Sequence, residues 1–165
     1  MSGGPVVPTN AHGRQRGGAR RRRGTIGGPI PYVRRPRVLV VDDDVDTREL
    51  LSFTLTEAGC HVVAVGGGMA ALMTARQQRP NILVLDLSLG YPIDGDRALR
   101  EIRGLAGLEQ VPSIAVSGLS DGAVRARRAG FDFYLPKPCD PQMLIGAIDR
   151  ILGRPDRAGR SQPRG

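Results

Sequence analysis

The sequence predicts a doubly wound α/β sandwich built on a five-stranded parallel sheet, and three observations carry that prediction. Three short apolar runs rich in β-branched residues, Val38 to Val41, Ile82 to Leu85 and Ile114 to Val116, have the pattern of strands buried on both faces of a parallel sheet. Helical spacing fills the intervals, so that strand and helix alternate five times. At 165 residues the chain has room for one domain with a core of ordinary size, and a second full domain is not expected.

Val38 to Val41 is the first strand. Asp46 and Glu49 then have capping-box spacing ahead of Leu51, Leu55 and Ala58 at i, i+4 and i+7, and Gly59 supplies a stop, which predicts the first helix. Cys60 to Val65 reads as the second strand, with His61 in a structural place. Met69, Leu72 and Met73 mark a second helix that ends before Pro80, and both methionines read as core residues. The third strand, Ile82 to Leu85, is followed by a helix carrying Ala98, Ile102 and Leu105. After the fourth strand, Ile114 to Val116, a short arginine-rich helix near Asp121 to Ala129 leads to a fifth strand at Phe133 to Leu135. The last helix is the best specified. Asp140 is its N-cap, Pro141 its first residue, and Met143/Leu144, Ala147/Ile148 and Ile151/Leu152 its apolar pairs before Gly153.

The formal charge of +8 points to nucleic acid until it is divided along the chain. Residues 1 to 37 hold nine arginines and no acid, and residues 153 to 165 hold four arginines and one aspartate. The stretch between them has eleven cationic and fifteen acidic residues, so its net charge is −4. The basicity belongs to the tails. Residues 1–36 and 154–165, rich in Gly, Arg and Pro and poor in apolar residues, are expected to be disordered around a domain at 37–153. A polybasic arm gains affinity for nucleic acid by counterion release, but this one carries a single aromatic, Tyr32, and no folded reading surface, so nucleic acid is not the expected partner. Cys60 and Cys139 match no metal or redox spacing and read as free thiols. No apolar run has the length of a membrane span and no signal-peptide pattern opens the chain, so a cytoplasmic place is expected.

Four strand ends converge in such a fold. The first strand runs into Asp42, Asp43 and Asp44, the third delivers Asp86, the fourth Ser117, and the fifth runs almost directly into Lys137. Carboxylates crowded there repel by about 4 kcal/mol per pair at about 4 Å and an effective dielectric near 20, so a cation belongs among them. A hard divalent ion suits oxygen ligands, and a site with only a few carboxylates favours Mg²⁺ that keeps waters and shares a phosphoryl oxygen. A carboxylate beside such an ion can attack a phosphoryl donor and form an acyl phosphate. The chain has 23 arginines and one lysine, and that lysine is Lys137. In so biased a composition, the exception marks a place for a compact ammonium on a flexible stem.

The segments Val38-Leu-Val-Val-Asp-Asp-Asp44, Ile82-Leu-Val-Leu-Asp-Leu-Ser-Leu89, Ile114-Ala-Val-Ser-Gly118 and Ala129-Gly-Phe-Asp-Phe-Tyr-Leu-Pro-Lys-Pro138 together resemble the response regulator receiver family over residues 38 to 152. The resemblance implies a flavodoxin-like (βα)5 receiver fold and Mg²⁺-dependent phosphorylation by a histidine kinase or a histidine phosphotransfer protein. Asp86 matches the phosphoacceptor. Asp42 and Asp43 match the acidic pair that holds Mg²⁺ together with Asp86, and Ser88 offers a backbone carbonyl. Ser117 matches the hydroxyl switch residue, Lys137 the phosphate-sensing lysine and Tyr134 the aromatic switch. Two departures touch the signalling face: the loop after Asp86 is one residue longer than usual, and Ser117 to Lys137 is about two residues shorter.

Three functions from different classes compete. The first is a phosphoacceptor of single-domain type, not an enzyme apart from its own dephosphorylation, with the fourth helix, fifth strand and fifth helix meeting a protein partner. The second is a pseudo-receiver that acts as an interaction module, its basic arm contacting nucleic acid. The third is an aspartate-nucleophile phosphohydrolase, whose motif, started at Asp42, needs Thr or Val where Asp46 stands.

Overall fold

The computed structural model describes residues 35–154, and within them the five alternations form. The elements are β1 (Arg37–Val41), α1 (Val45–Glu57), β2 (His61–Val65), α2 (Gly68–Gln78), β3 (Ile82–Asp86), α3 (Gly95–Arg103), β4 (Ser113–Ser117), α4 (Gly122–Ala129), β5 (Phe133–Pro136) and α5 (Pro141–Ile151). All strands pair in parallel in the order β2-β1-β3-β4-β5. The expected disordered tails lie outside the described residues, apart from Arg35, Pro36 and Arg154.

The period of two along each strand divides the core between the sheet faces. Val38, Val40, Ile82, Val84, Ile114 and Val116 pack with Leu51 and Leu55 of α1 and with Leu144, Ala147, Ile148 and Ile151 of α5. Leu39, Val41, Leu83 and Leu85 face the other way, onto Ala71 and Ala75 of α2 and Ala98, Leu99 and Ile102 of α3. Every residue of β3 and β4 is buried, as their apolar runs predict. β2 and β5 are the edges, and His61 lies exposed at the start of β2.

Several local expectations are corrected. Asp44, not Asp46, caps α1: with φ −77° and ψ 120° it is the last residue outside the helix, and its side chain accepts from Thr47 N–H. Asp46 then falls in the first turn, where its charge suits the helix dipole. Met69 and Met73 are exposed, at 49% and 61%, and are not core. The buried stripe of α2 is Ala71 and Ala75, whose small side chains let the helix lie close to the sheet, and this turns the methionines to the rim. Met143 of α5 is likewise exposed beside the buried Leu144. Leu105 lies beyond the end of α3, although it still packs on that core. Cys60 precedes β2 and is buried.

In a sheet of this order, the chain leaves β1 and β3 in opposite directions around the sheet and opens a crevice between their carboxyl ends. Asp42 follows β1 and Asp86 ends β3. The topology alone thus brings those two carboxylates together.

Candidate functional site

Asp42, Asp43 and Asp86 each offer a carboxylate oxygen within 4.8 Å of the others. Asp42 is fully buried and Asp86 is 4% exposed, whereas Asp43 is open to solvent. Asp86 Oδ1 accepts from the Ser88 N–H at 2.9 Å, which fixes one side of the carboxylate. Lys137 Nζ donates to Asp86 Oδ2 at 2.7 Å and stands 2.8 Å from Asp42 Oδ2. The buried Asp42 Oδ2 thus shares with Asp86 the one Lys137 ammonium.

These contacts explain the electrostatics. Burial pushes the Asp42 carboxyl above the ordinary carboxylate range, against the pull of Lys137 and the Asp44 N–H. Burial also works against the Lys137 charge, yet Asp42 and Asp86 outweigh it and hold the ammonium above the usual lysine range. One ammonium faces three carboxylates, a deficit of positive charge.

That deficit of positive charge around the buried Asp42 and Asp86 fits a divalent cation. All donors are hard oxygens, which excludes the soft-ligand metals, and three carboxylates are too few to enclose Ca²⁺ without help. Mg²⁺, which retains water ligands, matches this donor set.

The switch residues predicted from sequence meet at one carbonyl. Ser117 O accepts both the Lys137 N–H, at 2.9 Å, and the Tyr134 hydroxyl, at 3.3 Å. Ser117 itself is buried, one residue past the Asp86–Val116 pair in the ladder. Its Oγ accepts from Leu119 N–H at 3.1 Å, which leaves the hydroxyl proton available to an incoming oxygen. Tyr134 is half-buried with its ring against α4: a Cβ on Gly122 would stand 2.8 Å from the Tyr134 hydroxyl oxygen. Ser88 is exposed on the loop that follows β3.

Two further groups were not singled out by the sequence. Arg48 of α1 donates from Nη1 to the carbonyl of Asp42 at 2.6 Å. Arg125 of α4 reaches Asp96 Oδ2 at 2.6 Å and Asp94 Oδ2 at 2.7 Å, at the start of α3. No periodicity marks either residue: Arg48 bonds a backbone carbonyl only six residues before it, and Arg125 pairs with acids 29 and 31 residues away. Only the arginine-rich composition of α4 hints at the second.

Residues 38–149 match the family model described as the response regulator receiver domain. The chain is 36% identical over 115 residues to an uncharacterized 14.6 kDa protein of Leptolyngbya boryana, covering 68% of this chain and 87% of that one. It is 33% identical over 124 residues to the DNA-binding response regulator MtrA of Mycobacterium tuberculosis, covering 74% of this chain and 53% of the regulator. It thus spans about half the length of that DNA-binding protein. Among solved structures, the receiver domain of NtrX from Brucella abortus superposes with a TM-score of 0.65 at 30% identity, covering 70% of this chain and 98% of that one. The receiver domain of the sensor histidine kinase PA1611 from Pseudomonas aeruginosa superposes with a TM-score of 0.66 at 29% identity, covering 72% and 98%. That structure holds a magnesium ion coordinated in its active-site cleft.

Proposed function

This chain belongs to the response regulator receiver domain family of two-component signalling, and from that premise we propose that Asp86 is its phosphoacceptor, working with Mg²⁺ bound by Asp42, Asp43, Asp86 and the Ser88 backbone carbonyl. One observation carries the reading: Asp86, buried at the end of β3, is hydrogen-bonded to Lys137 and clustered with two further carboxylates. The magnesium in the cleft of the PA1611 receiver supports the choice of ion.

In the proposed reaction a carboxylate oxygen of Asp86 attacks the phosphorus of a phosphohistidine on a histidine kinase or phosphotransfer protein. A P–O bond forms as the P–N bond breaks, and the donor imidazole keeps the electron pair. Bound Mg²⁺ would supply positive charge to the transferring phosphoryl oxygens. Lys137, already 2.7 Å from Asp86 Oδ2, shifts its hydrogen bond from the carboxylate to a phosphoryl oxygen. Ser117 donates its hydroxyl proton to another of those oxygens. Because Ser117 O also holds the Tyr134 hydroxyl, movement of Ser117 reaches Tyr134 and the face of α4, β5 and α5, where a protein partner binds. Water attack on phosphorus, with the carboxylate leaving, restores Asp86. The chain has no other turnover in this reading and works in the cytoplasm.

The phosphohydrolase reading is disfavoured by Asp44. Starting at Asp42, that chemistry needs its second acid at Asp44, whose side chain instead caps α1 through Thr47 N–H at 2.7 Å. The direct test is intact mass after incubation with a small acyl phosphate, with and without Mg²⁺, for the wild type and Asp86→Asn. Gain of one phosphoryl group only with both Mg²⁺ and Asp86 is the expected result. A folded wild type that binds Mg²⁺ but takes up neither phosphoryl nor beryllofluoride would overturn it.

A further inference from the structure

Strand β1 pairs with β2 in register as far as Val41 and Val65, and the ladder closes with Asp42 N–H donating to Val65 O at 3.2 Å. A longer β2 would next offer a backbone N–H to the Asp42 carbonyl. The chain instead turns away through Gly66 and Gly67 into α2, so that carbonyl loses its ladder partner at the edge of the acidic cluster. Arg48 takes its place, with Nη1 at 2.6 Å. Gly66 provides the seat, since a Cβ there would stand 3.3 Å from the same Nη1.

Asp42 is thereby tied at three points: its N–H to Val65 O, its Oδ1 to the Asp44 N–H at 2.9 Å, and its carbonyl to Arg48. Only Oδ2 is left to face the site. Asp43 has no such ties, and among the described residues its side chain makes no hydrogen bond or ion pair within the protein. Its direction therefore follows from the backbone, and the peptide joining Asp42 to Asp43 is the one whose oxygen Arg48 holds.

We propose that Arg48, seated over Gly66, is a positioning residue for divalent-cation binding, which fixes the Asp42–Asp43 peptide and with it two of the three carboxylates of the cluster. The inference rests on the reading of that cluster as a Mg²⁺ site. Two effects of opposite sign compete when Arg48 is removed. Loss of a nearby positive charge favours a divalent cation, whereas loss of the anchor lets the peptide turn and spreads the carboxylates. The guanidinium bonds the backbone carbonyl of Asp42 and, among the described residues, forms no ion pair with the three carboxylates, so its charge counts for less. The anchor is a short charge-assisted hydrogen bond, and groups that orient metal ligands typically change affinity by about 10–100-fold. Anchoring therefore dominates, and the sign of the change separates a positioning role from a simple charge effect.

The test is calorimetric titration of the full chain with Mg²⁺ for wild type, Arg48→Gln, Arg48→Lys and Gly66→Ala, with thermal unfolding followed in parallel. Arg48→Gln is expected to raise the Mg²⁺ dissociation constant about tenfold, and Arg48→Lys, which keeps a cationic donor, to recover part of the loss. The Mg²⁺ concentration for half-maximal phosphorylation rises in step, while the rate at saturating Mg²⁺ stays near that of wild type. Gly66→Ala crowds the guanidinium with Arg48 intact and shifts affinity in the same direction by less, so the result does not hang on one variant folding. Unchanged or tighter Mg²⁺ binding by folded Arg48→Gln overturns the proposal. A wild type that binds no Mg²⁺ overturns the cation site itself, and is seen before any variant is compared.

Discussion

Lys137 Nζ lies 2.7 Å from Asp86 Oδ2, a hydrogen-bonded ion pair that joins the end of β5 to the end of β3 across 51 residues of chain. The same ammonium stands 2.8 Å from the buried Asp42, so one partly exposed cation offsets two carboxylates that water reaches poorly. Without a metal ion, Lys137 is what makes the close approach of Asp42 and Asp86 tolerable.

Replacing Lys137 by Met leaves those carboxylates facing each other without a counter-charge. After discounting for the exposure of the lysine, the expected loss is about 1–3 kcal/mol in urea unfolding without Mg²⁺. In the variant the Asp42 carboxyl, raised by burial and freed from the pull of Lys137, holds its proton more tightly folded than unfolded, so the deficit shrinks as pH falls and grows as pH rises. Saturating Mg²⁺ restores more stability to Lys137→Met than to wild type. Equal Mg²⁺ stabilisation of the two proteins would contradict this electrostatic account.

Asp42→Asn tests the same balance from the acidic side. The amide keeps the shape of the carboxylate and removes one of three crowded charges. Stability without Mg²⁺ is expected to hold or rise slightly, while Mg²⁺ affinity falls at least about tenfold through loss of a charged ligand. A large loss of stability with Mg²⁺ affinity intact would make Asp42 a structural residue.

The acidic cluster was legible in sequence because parallel strands all end at the same edge of a doubly wound sheet. Knowing that Asp42 follows one apolar run and that Asp86 ends another was enough to put them together. The cap of α1 was less legible, because Asp42, Asp43, Asp44 and Asp46 all have capping chemistry and only the backbone angles at Asp44 choose among them. Periodicity marked α2 as a helix but gave the wrong inward face, since close packing on the sheet selects Ala71 and Ala75 over the longer Met69 and Met73. Arg48 was hidden for a different reason. Its role exists because β2 parts from β1 at Gly66, and strand partings are not written in the periodicity of α1.

Two glycines forecast opposite responses to the same added methyl. A Cβ on Gly95 would overlap the Asp86 carbonyl oxygen and stand 2.8 Å from Leu87 Cα, backbone atoms that cannot step aside without moving the end of β3. Gly95→Ala is expected to cost about 1–3 kcal/mol by overpacking, or more. Gly146, inside α5, has no atom within 4 Å of its ideal Cβ, so Gly146→Ala should stabilise by about 0.5–1 kcal/mol through helix propensity. Chemical denaturation of the two variants checks both signs.

Cys139, two residues beyond Lys137, is buried, and that burial pushes its thiol up to about 11 from the ordinary 9.0, with Asp140 adding to the shift. The folded protein therefore favours the protonated thiol. This contribution to stability is full below the unfolded value near 9.0 and is lost as pH rises towards 11. Peptide-resolved alkylation is expected to modify Cys139 slowly at pH 8 in the native chain and quickly in urea. Rapid native labelling at pH 8 would show a thiol far more accessible than the structure gives.

The clasp between Arg125 and the start of α3 predicts where the domain loosens first. Arg125 binds Asp96 at 2.6 Å and Asp94 at 2.7 Å, and these bonds raise the guanidinium further above its ordinary range. Asp94 is also the N-cap of α3, accepting from Arg97 N–H, and Gly95 between the two acids packs on the Asp86 backbone. The clasp therefore ties α4 to the same turn that supports Asp86. α4 has eight residues and buries only Gly122 and Ala126, against Tyr134 and the small cluster around Leu87 and Ala115, so the clasp is a large share of what restrains it. Arg125→Ala should cost about 1 kcal/mol globally, because the ion pairs are partly exposed. Its larger effect is local: faster hydrogen exchange at α4 amides, with α5 amides following only the global change. Uniform acceleration across both helices would mean that the clasp contributes to general stability and does not specifically hold α4.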